Sequence, residues 1–296
     1  MSVTAFAPGK LILMGEHAVV YGHTALAMAV DRGLEVTLTE RAGPTGLDDT
    51  RIEDERIGQA LRSLLPDEGV GVTIRSSIPI GRGMGSSAAL AVALARATLA
   101  REGRPIHREA LNERAFAVER IFHGSPSGID HTVSMSGGAM LYRRTPSGPV
   151  FEAFDLPALP IVVIDSGTAG NTATMVRSVA ERLPDVRGHL EAMGALLRDT
   201  LPALRDGDLR AIGEAWNDNQ RLLRAIGVST PVLDAIARVA CEAGATGAKL
   251  AGAGGGGVVI ALSPDPSAVK RAAGAQGWSA FEVACIVPDQ PADADR

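Results

Sequence analysis

Three glycines alternate with other residues in Pro79-Ile80-Gly81-Arg82-Gly83-Met84-Gly85-Ser86-Ser87-Ala88-Ala89. An apolar run at 70–74 with strand character precedes them, and an Ala/Leu/Val helix is predicted directly after, over 86–99. Glycine lets the backbone approach a bulky anion and adopt positive φ. The first turn of a helix offers unpaired N–H groups and a partial positive charge, so a phosphate fits there. Ser86 or Ser87 can cap the helix or place a hydroxyl on a phosphate-bound Mg²⁺. Two familiar loops fail. A P-loop would need a lysine before its final Ser or Thr, where Gly85 stands before Ser86. A dinucleotide fingerprint starting at Gly81 would need Gly or Ala where Ser86 stands. The bland alternative is a loop that merely turns a corner.

The rest of the chain bounds what such a loop can serve. Its 296 residues permit one large domain or two ordinary ones. With 46% hydrophobic and only 3% aromatic residues, aliphatic side chains and Ala must fill the core; disorder, collagen and coiled coil are excluded. A net charge of −5 argues against a nucleic-acid partner. Cys241 and Cys285 make no disulfide framework and have no metal-ligand spacing; they read as two packed thiols. Lys10 and Glu16 interrupt the N-terminal apolar stretch, unlike a signal peptide, and the apolar run at 88–95 stops at Arg96, short of a membrane span. The expectation is a soluble, cytoplasmic protein with no membrane partner.

Strand-like runs are predicted at 3–6, 10–14, 25–30 and 34–38, with a turn around Gly15-Glu16-His17. A polar loop at 41–54 and a helix at 57–65 follow. A second helix is predicted at 108–122, then a turn-rich stretch at 125–138 and a strand at 139–142. The four prolines within 146–160 mark a domain boundary, giving domains at 1–158 and 159–296. Beyond it come a buried strand at 161–164, helices to about 242, a second glycine-rich segment at 244–257, an apolar run at 258–262, a last strand at 281–287 and a polar tail. Strands and helices mix without regular βαβ alternation, so two α+β domains fit better than a doubly wound sheet.

Acidic residues accompany the loop. Glu119 sits at the edge of the apolar face of the second helix, and Asp130 follows within Gly124-Ser125-Pro126-Ser127-Gly128-Ile129-Asp130. Alone, the first reads as a solvated surface acid and the second as a turn residue. Beside an anion-binding loop, two acids can divide phosphoryl transfer, one holding Mg²⁺ and one aligning or deprotonating the acceptor. Lys10 offers a flexible point charge for a phosphate or an alkoxide. Gly252-Ala253-Gly254-Gly255-Gly256-Gly257 is a second site of close backbone approach, expected to pack on the first loop or on the acceptor. His17, His123 and His131 lack zinc-ligand spacing.

Taken together, these segments resemble the GHMP kinases over nearly the whole chain. The three motifs are Ala7-Pro8-Gly9-Lys10 running to Gly22, Pro79 to Ala89, and Lys249 to Gly257. Within that superfamily, Gly15-Glu16-His17-Ala18-Val19-Val20-Tyr21-Gly22, the 119–130 segment, Asn219-Gln220 and Gly227-Val228-Ser229 look like the mevalonate kinase family. The resemblance implies a two-domain α+β GHMP kinase fold, with a ribosomal protein S5 domain 2-like N-terminal domain and a ferredoxin-like C-terminal domain. It implies ATP-dependent phosphorylation of the 5-hydroxyl of mevalonate, with ATP as co-substrate and Mg²⁺ as cofactor. By the same resemblance Ser76 and the loop residues Gly81, Arg82, Gly83, Met84, Gly85, Ser86 and Ser87 bind the nucleotide, and Ser87 and Glu119 hold Mg²⁺. Asp130 is the implied catalytic base and Lys10 its paired lysine, while Glu16, His17, Asn171, Thr172 and Gly254 fall to the acceptor side.

There are departures. Gly170 stands where several relatives place Arg, and Ala251 replaces the commoner Thr; Arg82 is the loop cation that could compensate for Gly170. The runner-up readings are a phosphomevalonate kinase, another small-molecule kinase of the superfamily, and a catalytically silent ligand sensor on the same fold. Retention of Lys10, Ser87, Glu119 and Asp130 together speaks against the sensor. A homodimer is left open.

Overall fold

The computed structural model describes residues 2–49, 54–124, 128–145 and 147–286. The expected turn at 125–127, parts of the polar loop and of the proline-rich stretch, and the tail beyond 286 lie outside them. Among the described residues ten strands divide between two sheets. The first holds β1 (Val3–Met14), β2 (Thr24–Pro44), β3 (Gly46–Leu47), β4 (Glu68–Ser76), β5 (Ala139–Thr145) and β6 (Gly148–Phe154) in the order β3-β4-β2-β5-β6, with β1 also on β2. Helices α1 (Glu55–Leu64), α2 (Ser86–Arg101), α3 (Arg108–His123) and α4 (Ile129–Ser136) accompany it.

The second sheet is β10-β7-β9-β8, all antiparallel, from β7 (Ile161–Asp165), β8 (Gly247–Ala251), β9 (Val258–Leu262) and β10 (Ser279–Val283). Helices α5 (Thr172–Glu181), α6 (Leu183–Asp206), α7 (Leu209–Ala225) and α8 (Pro231–Glu242) connect β7 to β8, and α9 (Pro266–Ala275) connects β9 to β10. That order and connectivity is the ferredoxin-like arrangement.

The structure differs from the sequence-based expectation in several places, beginning with the runs at 3–6 and 10–14, which form the single strand β1. The runs at 25–30 and 34–38 form one strand, β2, because the polar Asp31-Arg32-Gly33 break is absorbed by a register shift opposite Pro8 and Lys10. A Cβ at Gly33 would lie 2.0 Å from the Ala7 carbonyl oxygen, so only glycine allows that crossing. The supposed polar loop continues β2 to Pro44 and then adds β3 beside β4. The turn-rich stretch contains α4, whose eight residues are too few to show a period and whose Ser134 hydroxyl donates to the Pro8 carbonyl at 2.6 Å. Within the proline-rich stretch lies β6, an edge strand, where Pro149 removes no inner ladder bond. The last strand ends at Val283.

Helix α2 buries eleven of its sixteen residues, so it is apolar all round and runs through the centre of the molecule. One hydrophobic core joins β1, β2 and α2 to Leu197 and Leu204 of α6, Trp216 of α7 and Ile260 of β9, so both sheets pack on shared apolar mass. After β10 the chain returns to the first sheet, where Ile286 donates to Ala29 and accepts from Gly138.

Candidate active site

The loop at 77–85 leaves β4 and enters α2 with Gly81, Gly83 and Gly85 all at positive φ, 70°, 83° and 71°. Gly85 caps α2 in the left-handed conformation, and the Ser86 hydroxyl accepts from Gly81 N at 3.2 Å, folding the loop back over the helix start. The Met84 side chain is fully buried and its carbonyl accepts from Lys10 N at 2.9 Å, which ties the loop to β1. A Cβ at Gly85 would meet Lys10 Cγ at 2.9 Å, so the glycine makes room for the lysine stem. Helix α2 therefore points its N-terminus, with its free N–H groups and partial positive charge, at this loop.

Four expected residues meet here. Lys10 is 4% exposed, and its Nζ lies 3.2 Å from Asp130 Oδ1 in the first turn of α4. Besides that pair, the Ser134 bond to Pro8 holds α4 against β1, as does Arg96 of α2, which donates to both the Phe6 and Met135 carbonyls. Ser87 shares a 2.9 Å hydrogen bond with His123 Nε2. Glu119 on α3 is 1% exposed, not solvated. Burial, then the negative charge of Asp130, pushes its carboxyl up to about 7, against the opposing pull of the Ser87 hydroxyl and Lys10.

Glu119 Oε1 is buried and makes no hydrogen bond, with the Ser87 hydroxyl beside the same carboxyl. An orphaned hard oxygen next to a hydroxyl suits a hard divalent cation. Among the described residues no three His, Cys, Asp or Glu gather around a metal position, so most of such an ion's ligands would be water and phosphate oxygens.

The remaining residues take other places. The Ser76 hydroxyl closes a turn by donating to the Ile78 carbonyl at 2.6 Å. Arg82 reaches across the seam between the sheets: its Nε lies 3.5 Å from Asp165 Oδ1 and its NH2 donates to the Gly167 carbonyl at 2.8 Å. Asn171 caps α5 by accepting from Thr174 N at 3.0 Å, and Thr172 is exposed on a small cleft that Arg82, Gly83, Gly170 and Gly254 also line. A Cβ at Gly170 would meet the Gly254 carbonyl oxygen at 2.5 Å, so no arginine fits this backbone. The 252–257 run backs onto the first glycine loop, with a Cβ at Gly257 only 2.8 Å from the Arg82 carbonyl oxygen.

Glu16 and His17 are both buried, 1% and 5% exposed. The Glu16 carboxylate is held by Lys249 Nζ and by Asn219 Nδ2. His17 Nε2 donates to the Ala253 carbonyl at 2.8 Å, and burial pushes its pKa down. Sequence reasoning gave no role to Lys249 or Asn219, which it quoted only within motifs, and none to Asp165 or Arg96. The signal for the burial of Lys249 was its place inside Gly247-Ala248-Lys249-Leu250-Ala251, an otherwise small and apolar strand.

A family model for the GHMP kinases N terminal domain matches residues 55–138, and one for the GHMP kinases C terminal region matches 200–275. The chain is 35% identical over 304 residues to a mevalonate kinase of Thermococcus sibiricus, covering 90% of each. It is 37% identical over 282 residues to a mevalonate kinase of Methanothermobacter thermautotrophicus, covering 89% of this chain and 91% of that one. Among solved structures it is similar to L. major mevalonate kinase in complex with R-mevalonate, at a TM-score of 0.86 and 27% identity over 96% of both chains.

Proposed function

We propose, on the premise that the chain belongs to the GHMP kinases and within them to the mevalonate kinase family, that it transfers the γ-phosphoryl group of ATP to the 5-hydroxyl of mevalonate. The observation that carries the site assignment is the Lys10–Asp130 pair at 3.2 Å, set beside the N-terminus of α2 with Ser87 and Glu119. The two domains are taken as 1–158 and 159–296, with the reaction at their seam in the cytoplasm.

The loop amides from Gly81 to Ser87 and the α2 N-terminus hold the phosphates of ATP, a role that needs backbone donors rather than a lysine. Asp130, one-third exposed, takes the proton of the acceptor hydroxyl. Lys10, nearly buried, keeps that carboxylate in place and steadies the charge on the attacking oxygen. The oxygen forms its bond to the γ-phosphorus while the bond to the bridging oxygen breaks; ADP leaves, and the proton rests on Asp130. Ser87 and Glu119 would hold Mg²⁺, which neutralises phosphate charge when bound. Thr172 and Gly254 line the small cleft that Arg82 and Gly83 of the loop also line, and Asn171 caps the helix that carries Thr172.

The acceptor assignment has support in the charges. A phosphorylated acceptor brings roughly two further negative charges and calls for arginines on the acceptor side. Arg82 is already engaged by Asp165 and Gly167, and Gly170 admits no larger side chain. The test is an ADP-release assay with saturating Mg-ATP over mevalonate, phosphomevalonate, galactose and homoserine. Mevalonate should have the highest kcat/KM; a clear preference for phosphomevalonate overturns the acceptor and leaves the phosphoryl-transfer site standing.

A further inference from the structure

The side chain of Lys249 has no exposure at all, in a strand whose five residues are all buried. Its Nζ donates to Glu16 Oε1 and, at 2.8 Å, to the Leu250 carbonyl, while Asn219 of α7 donates to Glu16 Oε2 at 3.1 Å. Burial pushes the lysine pKa down and the Glu16 carboxylate pulls it back. Taking two charges out of water costs about as much as their attraction returns, so stability alone does not account for an ion pair here. Position does. Glu16 belongs to the turn after β1, and Lys249 stands three residues before Gly252, where the third glycine run begins.

His17 adds a second point of attachment on the same run, through Ala253. Among the described residues it is the one non-glycine with positive φ, at 57°. Such a conformation is strained and persists only where its surroundings over-determine it. The far side of the run touches the phosphate loop: Cβ atoms at Gly83 and Gly257 would lie 3.2 Å from the Ala251 and 2.8 Å from the Arg82 carbonyl oxygens. A shift of the run would therefore move the loop.

We propose that Glu16, His17 and Lys249 form a buried two-point latch that sets the third glycine run against the phosphate loop, making them positioning residues for the nucleotide half of the site rather than contacts to the acceptor. This rests on the phosphoryl-transfer reading above. A misplacement of about 1 Å at such a loop costs up to ~10²-fold in rate. Nucleotide binding measured without acceptor reads the latch even if the acceptor assignment fails, so the two ideas fail separately.

The test compares Lys249→Met, Glu16→Gln, the double variant and His17→Asn by melting, by ADP titration calorimetry, and by KM for ATP and for mevalonate. Lys249→Met strands a buried carboxylate and should melt early; the double variant removes both charges and should recover most of the melting temperature. In the double variant and in His17→Asn, the Kd for ADP and the KM for ATP should rise roughly tenfold, with the mevalonate KM within about twofold of wild type. The proposal is overturned if the mevalonate KM rises while ADP binding stays intact. It is equally overturned if the refolded double variant keeps wild-type binding and rates, since the pair would then be packing alone.

Discussion

Glu119→Gln should change how stability depends on pH, and the size of the change follows from the burial of its carboxyl. The folded pKa is raised from 4.5 to about 7, first by burial and then by the charge of Asp130. Native protein therefore holds a proton on Glu119 through this window while the unfolded chain has released it. Below the window both states are protonated and nothing is lost; as the pH rises through it, the unfolded chain releases a proton that the native protein keeps, so stability falls until the buried group itself ionises near 7 and the loss levels off. At about 1.4 kcal/mol per tenfold change in proton affinity, the loss is roughly 3 kcal/mol by pH 8. The amide that Glu119→Gln introduces cannot ionise, so the variant should escape it.

The assay is urea unfolding of the chelated, nucleotide-free protein between pH 4.5 and 8. Wild type and variant should have similar stability at the acid end, and wild type should fall below the variant by roughly 3 kcal/mol at the alkaline end. A cation beside the carboxylate reverses the sign of its environment, so Mg-ADP at pH 7.5 should stabilise wild type more than Glu119→Gln. A difference between the two proteins that stays flat with pH would refute the buried, uncompensated carboxyl and with it the argument for a cation there.

Asp130→Asn should bind ATP normally and lose roughly 10²–10⁴ in kcat in the coupled assay. Lys10→Met should lose a comparable amount, and a double variant no worse than either single would show that the 3.2 Å pair acts as a unit. Ser87→Ala should raise the Mg²⁺ concentration for half-maximal rate with little change in melting temperature; early melting that extra Mg²⁺ does not remedy would make the position structural. Gly254→Ala should unfold early, because its Cβ would lie 2.2 Å from the Val228 carbonyl oxygen. Gly81→Ala meets no atom within 4 Å, so it should cost only about 1–2 kcal/mol of left-handed strain while raising the KM for ATP.

Local features of the chain carried the helices and the glycine loops, since period and punctuation are local properties. Helix α2 follows from its Ala/Leu/Val run, and the 252–257 segment from glycine content alone. The burial of Glu119 was not legible, because the edge of an amphipathic face reads as solvent until the α2 N-terminus and the α4 turn close over it. Arg82 looked like an anion contact, but its carboxylate partner, Asp165, lies on a strand of the other sheet. Lys249 was visible only as a flank of the glycine run, for its partner Glu16 is 233 residues away. For Arg82 and Lys249 the carboxylate that engages the charge lies far away in sequence, and for Glu119 the burial comes from other elements closing over it.

The glycines divide by the same logic. In the third run, Cβ atoms at Gly254, Gly255, Gly256 and Gly257 would each come within 2.8 Å of protein atoms on other segments. Those glycines are explained by packing, whether or not a phosphate is near. In the first loop the space beyond Gly81 is open, and Gly83 faces the third run at 3.2 Å. The open side of the first loop, with the helix N-terminus behind it, is where an anion can approach; the third run supplies the wall that keeps the loop from relaxing. One loop comes from each half of the chain, and the two meet where Gly83 approaches the Ala251 carbonyl and Gly257 the Arg82 carbonyl.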